Sequence, residues 1–233
     1  MLKNNYTHIF FDLDHTLWDF DTNTRLTFDE ILANLGLYES GIPNIDAFIL
    51  VYSKHNKALW DQYKKGEIEK ALLSYLRFEL TLKEFSVQNI GMAKQIAEDY
   101  NRISPTKTVL IPGSLEVLEY LRPKYELGLI TNGFDEIQFV KIEKAGLNRF
   151  FKWVVTSEEA GAKKPDPAIF YYTLQKTGAN AETSLYIGDE PDTDIPGALL
   201  AGIDQILLCD HCPEHTLKAT HTIACLRDLL TLL

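Results

Sequence analysis

Ile9, Phe10 and Phe11 form a short unbroken apolar run that ends in Asp12 and Asp14. Such a run predicts a strand buried on both faces, as in a parallel sheet covered by helices. From residue 21 the period changes. Asp21 or Thr22 offers a helix cap, Leu26, Ile31 and Leu35 follow at helical spacing, and Gly36 stops the pattern. Pro43 and Asn44 introduce a second helical region, in which Ile68, Leu72, Tyr75 and Leu76 share one face. Residues 21–104 therefore read as helices only. After Leu110 the texture changes again. Pro112 and Gly113 open a helix, and short apolar strands at 127–131, 153–156, 184–188 and 205–208 then alternate with helices at 135–145, 167–177 and 194–201. This alternation predicts an α/β fold, a doubly wound parallel sheet with right-handed crossovers, to which residues 9–11 add a first strand. The helical stretch is then an insertion: residues 1–18 and 106–233 form the α/β core domain and 19–105 an all-helical domain.

Composition narrows the partners. The chain has 233 residues, 45% of them hydrophobic, which is enough for a real core. A formal net charge of −10 without a run of Lys and Arg argues against a nucleic-acid polymer or an anionic membrane as partner. A small anionic substrate is still admitted, because a local metal ion and one or two lysines outweigh the distant field. No apolar run approaches membrane-spanning length, and the N-terminus shows no signal-peptide pattern, so a cytoplasmic protein is expected. Three cysteines, all after residue 208, make no disulfide framework and fit a reducing compartment. The oligomeric state is not legible.

The chemistry gathers at strand ends. Two acids as close as Asp12 and Asp14 repel unless a cation lies between them or one holds a proton, which marks a metal or acid/base site. They begin on one side of the strand, and any turn after Leu13 would splay them. Thr131 and Asn132 end the second strand, Asp189 follows the fourth, and Lys164 lies in the loop GAKKPDP. Parallel strands present these ends on one edge. Three acids, a hydroxyl, an amide and an amine are the set that phosphoryl transfer requires, and Mg²⁺, with its preference for oxygen ligands, is the expected cofactor.

Four pieces in order, FFDLDHT, ITN, KKPDP and IGDEPDTD, resemble the haloacid dehalogenase-like (HAD) hydrolases over nearly the whole chain. The resemblance implies a Rossmann-like core, with the helical insertion as that family's cap. It further implies Asp12 as a nucleophile forming an aspartyl phosphate, and Asp14 as the acid that protonates the leaving alcohol and then activates water. Mg²⁺ would be held by Asp12, the Asp14 carbonyl and Asp189. Thr131, the Asn132 backbone and Lys164 would hold phosphoryl oxygens, and Asp194 would support the metal or Lys164 from behind. The chain departs from many relatives in having Glu190 and Pro191 after Asp189, which adds an acid beside the metal. Lys164 is chosen over Lys163 because relatives place the lysine directly before proline. Dehalogenation fits less well than phosphate-ester hydrolysis, because dehalogenating relatives lack the second acid.

The segment NKALWDQYKKGEIEKALLSYLRFE also resembles the pyrimidine 5′-nucleotidases of this family through its LW, GEI and LxxxRF pieces. A nucleoside 5′-monophosphate is therefore the expected substrate. Sugar phosphates, phosphoglycolate and sialic-acid phosphates compete with it. A phosphomutase, or a phospho-accepting receiver-like module, would use a similar set of groups. Bland readings stand beside several of these residues. Thr131 and Asn132 before Gly133 suit a turn, and Asp194 suits a helix N-cap. Arg77 suits a solvated helix surface, and Trp18 and Phe20 suit either packing or stacking on a base. Cys209, His211, Cys212 and His215 are crowded for a zinc site and read as a loop after the last central strand.

Overall fold

The two-faced burial expected of residues 9–11 is realised in the computed structural model, which describes residues 2–3, 5–87, 89–210 and 219–233. Among these residues the strands are β1 (His8–Phe11), β2 (Glu126–Thr131), β3 (Trp153–Thr156), β4 (Ser184–Gly188), β5 (Asp204–Leu208) and β6 (His221–Ile223). They form one sheet in the order β3-β2-β1-β4-β5-β6, and every neighbouring pair is parallel. The helices are α1 (Phe20–Asn34), α2 (Ile45–Lys64), α3 (Lys70–Glu84), α4 (Ile90–Ile103), α5 (Ser114–Leu121), α6 (Asp135–Lys144), α7 (Ser157–Ala160), α8 (Ala168–Thr177), α9 (Asp194–Leu200) and α10 (Leu229–Leu232).

Alternate residues of the central strands feed two cores. Ile9 and Phe11, Leu127 and Leu129, and Leu185 and Ile187 belong to one cluster with helix residues such as Val117 and Leu118. Phe10, Ile130 and Tyr186 point the other way, into a cluster with Ile169, Phe170 and Ala198. A strand flanked on both faces has no room for a carboxylate along its length. The acids accordingly sit where β1 and β4 end.

The chain divides into one unit of Met1–Phe20 and Thr108–Leu233, which holds the whole sheet, and a second of Asp21–Lys107, which contains α2 to α4 and nearly all of α1. The second unit is built around interlocked aromatic rings: Phe28 lies edge-on to Phe48 and Tyr52, at centroid distances of 4.9 and 4.6 Å. Arg77 corrects the expectation of a solvated charge. It is 5% exposed, occupies the buried face of α3 between Leu73 and Thr81, and lies 4.8 Å from the Phe78 ring and 5.3 Å from that of Tyr100. Its guanidinium donates to Asn56 Oδ1 at 2.9 Å. A planar, weakly hydrated cation tolerates such aromatic company far better than an ammonium does.

β6 was not expected: three residues are too few to show a strand period, yet they extend the sheet beyond β5, and Cys209 N–H donates to Ile223 O at 2.8 Å. Cys209 is disulfide-bonded, against the reading of reduced thiols, while Cys225 is free and exposed. His211, Cys212 and His215 of the suggested loop lie outside the described residues. Among the described residues no helix is long and apolar enough to cross a membrane.

Candidate active site

Asp12 is still anchored to the sheet, its N–H donating to Ile187 O at 2.8 Å, and the backbone then doubles back. Leu17 N–H and Trp18 N–H both donate to Leu13 O, and His15 N–H to Trp18 O, which closes a tight loop with His15 at φ 63°. A left-handed φ is tolerated by histidine at modest cost. The loop separates the two acids. Asp12 faces Lys164 and Asp194, whereas Asp14 faces α6. Thr16, fully buried at the turn, donates to Asp189 Oδ1 at 2.9 Å.

Lys164 is the hub on the Asp12 side. Its ammonium lies 2.6 Å from Asp12 Oδ1, 2.7 Å from Asp194 Oδ1 and 2.8 Å from the Tyr186 hydroxyl, so all three N–H directions are engaged. The loop that carries it is pinned by Asn132, whose Oδ1 accepts from Lys164 N–H at 2.8 Å and whose Nδ2 donates to Lys164 O at 2.9 Å. Asn132 thus clamps the lysine's backbone with its side chain. Lys163, the alternative, is half-buried and makes none of these contacts. Asp194 opens α9 with Oδ2 accepting from Glu190 N–H at 3.0 Å. Gly188 makes its approach possible, since a Cβ there would overlap the Asp194 carboxylate.

One oxygen from each of Asp12, Asp189 and Asp194 falls within 4.8 Å of the others. Asp194 is therefore as close to the acid cluster as the two residues assigned to it from sequence. Three carboxylates against one ammonium leave two uncompensated negative charges when all are ionised. The energetic response is uptake of protons. Burial first, then the neighbouring carboxylates, push Asp12 up to about 8 against the opposing charge of Lys164. Burial and Asp194 push Asp189 up to about 7, opposed by the Thr16 hydrogen bond. Burial alone would lower the Lys164 ammonium, but Asp12 and Asp194 more than offset it and the net shift is upward.

The Asp14 side is built differently. Lys141 Nζ lies 2.5 Å from Asp14 Oδ1, and Gln138 Nε2 donates to Asp14 Oδ2 at 2.9 Å. Burial raises the Asp14 carboxyl, yet the charge and hydrogen bond of Lys141 and the Gln138 amide outweigh it, holding it below the usual carboxylate range. Gln138 Nε2 also donates to Thr131 Oγ1 at 2.7 Å, and Gly133 N–H donates to the same oxygen at 3.1 Å. With two donors on the oxygen, the Thr131 O–H is left as a donor.

The sequence-selected residues fall into two groups at the carboxyl ends of the strands: Asp12, Lys164, Asn132, Asp189 and Asp194 in one, Asp14 and Thr131 in the other, tied by Gln138. Thr16, Tyr186, Gln138 and Lys141 were missed. Tyr186 reads as a core aromatic within an apolar strand, and only its inward hydroxyl betrays it. Trp18 is fully buried with Lys141 Nζ 4.1 Å above its ring, so it packs and does not offer a stacking face.

A model of the haloacid dehalogenase-like hydrolase family matches residues 9–208. The chain is 32% identical over 229 residues to the pyrimidine 5′-nucleotidase YjjG of Escherichia coli K12, covering 97% of this chain and 96% of that protein. It is 33% identical over 230 residues to the pyrimidine 5′-nucleotidase PynA of Streptococcus pneumoniae R6, covering 97% and 94%. The structure is similar to that of the HAD-hydrolase YfnB from Bacillus subtilis bound to magnesium, with a TM-score of 0.88 and 26% identity over 98% of this chain and 99% of that one.

Proposed function

The chain belongs to the haloacid dehalogenase-like hydrolases, and from that premise and the site we infer that it hydrolyses small phosphomonoesters, foremost pyrimidine nucleoside 5′-monophosphates. The observation that carries the reading is the division of labour between two neighbouring acids. Asp12 is buried against an ammonium among two further carboxylates, and Asp14 is held apart by its own lysine. A second acid has work only where an alcohol leaves, which favours an ester over a halide. The nucleotide part is supported by end-to-end similarity to two proteins named as pyrimidine 5′-nucleotidases.

In this reading an Asp12 oxygen attacks phosphorus and the bond from phosphorus to the ester oxygen breaks. Asp14, ionised in the free protein, takes up a proton as the ester dianion enters beside it and gives that proton to the departing alkoxide. Asp14 then takes a proton from the water that attacks the aspartyl phosphate, which frees inorganic phosphate and restores Asp12. Thr131 O–H donates to a phosphoryl oxygen. Lys164 first serves to offset the charge of Asp12 and Asp194; contact with a phosphoryl oxygen requires it to release one of its three present partners.

The donor set fits Mg²⁺. It offers hard carboxylate oxygens without sulfur or imidazole, and its two excess negative charges equal one divalent cation. Asp12, Asp189 and Asp194 would hold it, with the Asp14 carbonyl as a further oxygen. The ion supplies positive charge that shields the nucleophile from an incoming phosphate dianion. Because Asp12 and Asp189 hold protons to about 8 and about 7 without the cation, binding must displace them. Raised acid pKa values mean that the competing protonated forms dominate at low pH and vanish as pH rises. Apparent Mg²⁺ affinity is therefore expected to increase more than about tenfold between about pH 6 and about pH 8. Calorimetric titration at several pH values checks this, and a flat profile would contradict the assigned cluster.

The functional test is a phosphate-release screen over nucleoside monophosphates, sugar phosphates and phosphoglycolate in the presence of Mg²⁺. Pyrimidine nucleotides are expected to give the highest kcat/KM. Best turnover of phosphoglycolate or a sugar phosphate would move the substrate and leave the chemistry in place. Absence of free phosphate from every ester would remove the phosphatase reading. Free phosphate at each turnover distinguishes hydrolysis from a phosphomutase, and repeated turnover distinguishes it from a receiver-like module.

A further inference from the structure

We propose that Lys141 and Gln138 are positioning residues that clamp the Asp14 carboxylate in one pose, the pose from which it takes the proton of the water that hydrolyses the aspartyl phosphate. The inference rests on the phosphatase reading above. The burial of α6 is inverted. On α6 Lys141 and Gln138, three residues apart, are 4% and 0% exposed, while Phe139 between them is 50% exposed. Burying a lysine and an amide in place of a phenylalanine is costly unless both are satisfied by specific partners.

Those partners are both oxygens of one carboxylate. Lys141 takes Oδ1 and Gln138 takes Oδ2, which fixes rotation about the terminal bond as well as position. Two aromatic rings also lie near the ammonium, Trp18 at 4.1 Å and Phe20 at 5.6 Å. These faces attract a cation but accept no strong hydrogen bond, so they press Lys141 toward Asp14 without competing for its protons.

Gln138 adds a second restraint. Its single nitrogen serves Asp14 and Thr131 together, whereas its Oε1 is buried without a partner among the described residues. An unpaired buried oxygen costs about 1–3 kcal/mol, a penalty that the opposite amide orientation would deepen by facing that oxygen toward a carboxylate. The space it needs is kept by Gly133, where any Cβ would overlap the Gln138 side chain. Lys141, Asp14, Gln138 and Thr131 thus form one continuous line linking the proton-transfer group to the hydroxyl that the phosphatase reading assigns to the phosphate. A charged pair replaced by apolar residues of similar volume is often no less stable, so stability alone gives no reason to keep it.

The test uses p-nitrophenyl phosphate, whose leaving group departs without a proton, so that only the second step calls on Asp14. In Lys141→Met the first release of p-nitrophenol is expected to keep the wild-type rate, followed by a steady state about 100-fold slower, with phosphoenzyme accumulating to about one equivalent per site. KM for the ester should not rise, and Lys141→Arg should recover most of the steady-state rate. Gln138→Met, which leaves the ion pair intact, should show the same burst in weaker form and serves if Lys141→Met does not fold. Wild-type steady-state rates in these variants would overturn the clamp alone. Equal slowing of both phases, without phosphoenzyme, would also overturn it by making Lys141 a support of the whole site. Failure of the wild-type protein to turn over any ester would overturn the phosphatase reading and the clamp with it.

Discussion

Asp12→Asn is expected to lower kcat by about 10⁴-fold or more while the protein stays folded, because the change removes a nucleophile and keeps its shape. The amide still fits the space of a side chain in a residue only 8% exposed. Lys164 loses one carboxylate but keeps Asp194 at 2.7 Å and the Tyr186 hydroxyl at 2.8 Å, so no charge is left buried alone. The substitution also removes one of three mutually repelling acids. The metal-free variant should therefore melt no lower than the wild-type protein, a combination that separates lost chemistry from lost structure. Phosphate release and thermal melting measure the two halves. Wild-type turnover in the variant would end the assignment of Asp12 as nucleophile, and a large drop in melting temperature would show that its charge stabilises the fold.

The parts of this arrangement that were legible in sequence are those that backbone periodicity encodes. Strands buried on both faces are apolar runs, and the residues that interrupt such runs at their ends stand out: Asp12 after β1, Thr131 closing β2 and Asp189 after β4. The resemblance, in which the lysine directly precedes proline, then selected Lys164 over Lys163, a distinction that spacing alone does not make. What stayed hidden were polar residues that resemble something ordinary. Lys141 and Gln138 on a helix look like solvated positions, Tyr186 looks like core, and Thr16 looks like part of a turn. Each is set by a long-range partner, at separations of 127 residues for Lys141 with Asp14 and 173 for Thr16 with Asp189. Arg77 was misread for the same reason, since the aromatic rings that shelter it come partly from another helix. Asp194, expected from the resemblance to stand behind the metal or Lys164, is the first residue of α9, after the N-cap Thr193, and its carboxylate reaches both Lys164 and the acid cluster.

Lys164→Met should produce the larger loss of stability, and the loss should depend on the divalent cation. Methionine preserves length and removes the ammonium that contacts both Asp12 and Asp194. Breaking a buried ion pair by deleting one partner costs about 3–5 kcal/mol, most of it the penalty for carboxylates left without a counterion. For a chain of this size that corresponds to a fall of roughly 10 °C in melting temperature without metal. Two responses compete to relieve the strain: the acids take up further protons, or a cation takes the place of the lost ammonium. Without Lys164 the Asp12 carboxyl rises above about 8, so proton uptake weakens only as pH climbs past that value; at about pH 9 and higher Mg²⁺ should raise the melting temperature of the variant by more than it raises that of the wild-type protein. The rate should fall even with metal bound, by about 10²- to 10³-fold, as expected when one preorganised charge is removed from a phosphoryl-transfer site. The two observables respond to different faces of the same residue. Stability reads the Lys164 charge against its resident carboxylates, and rate reads it against the arriving phosphate. A variant that loses activity but melts with the wild-type metal response would mean that the ammonium is not what balances the acid cluster. The charge balance inferred for Asp12, Asp189 and Asp194 would then have to be rebuilt on the cation alone.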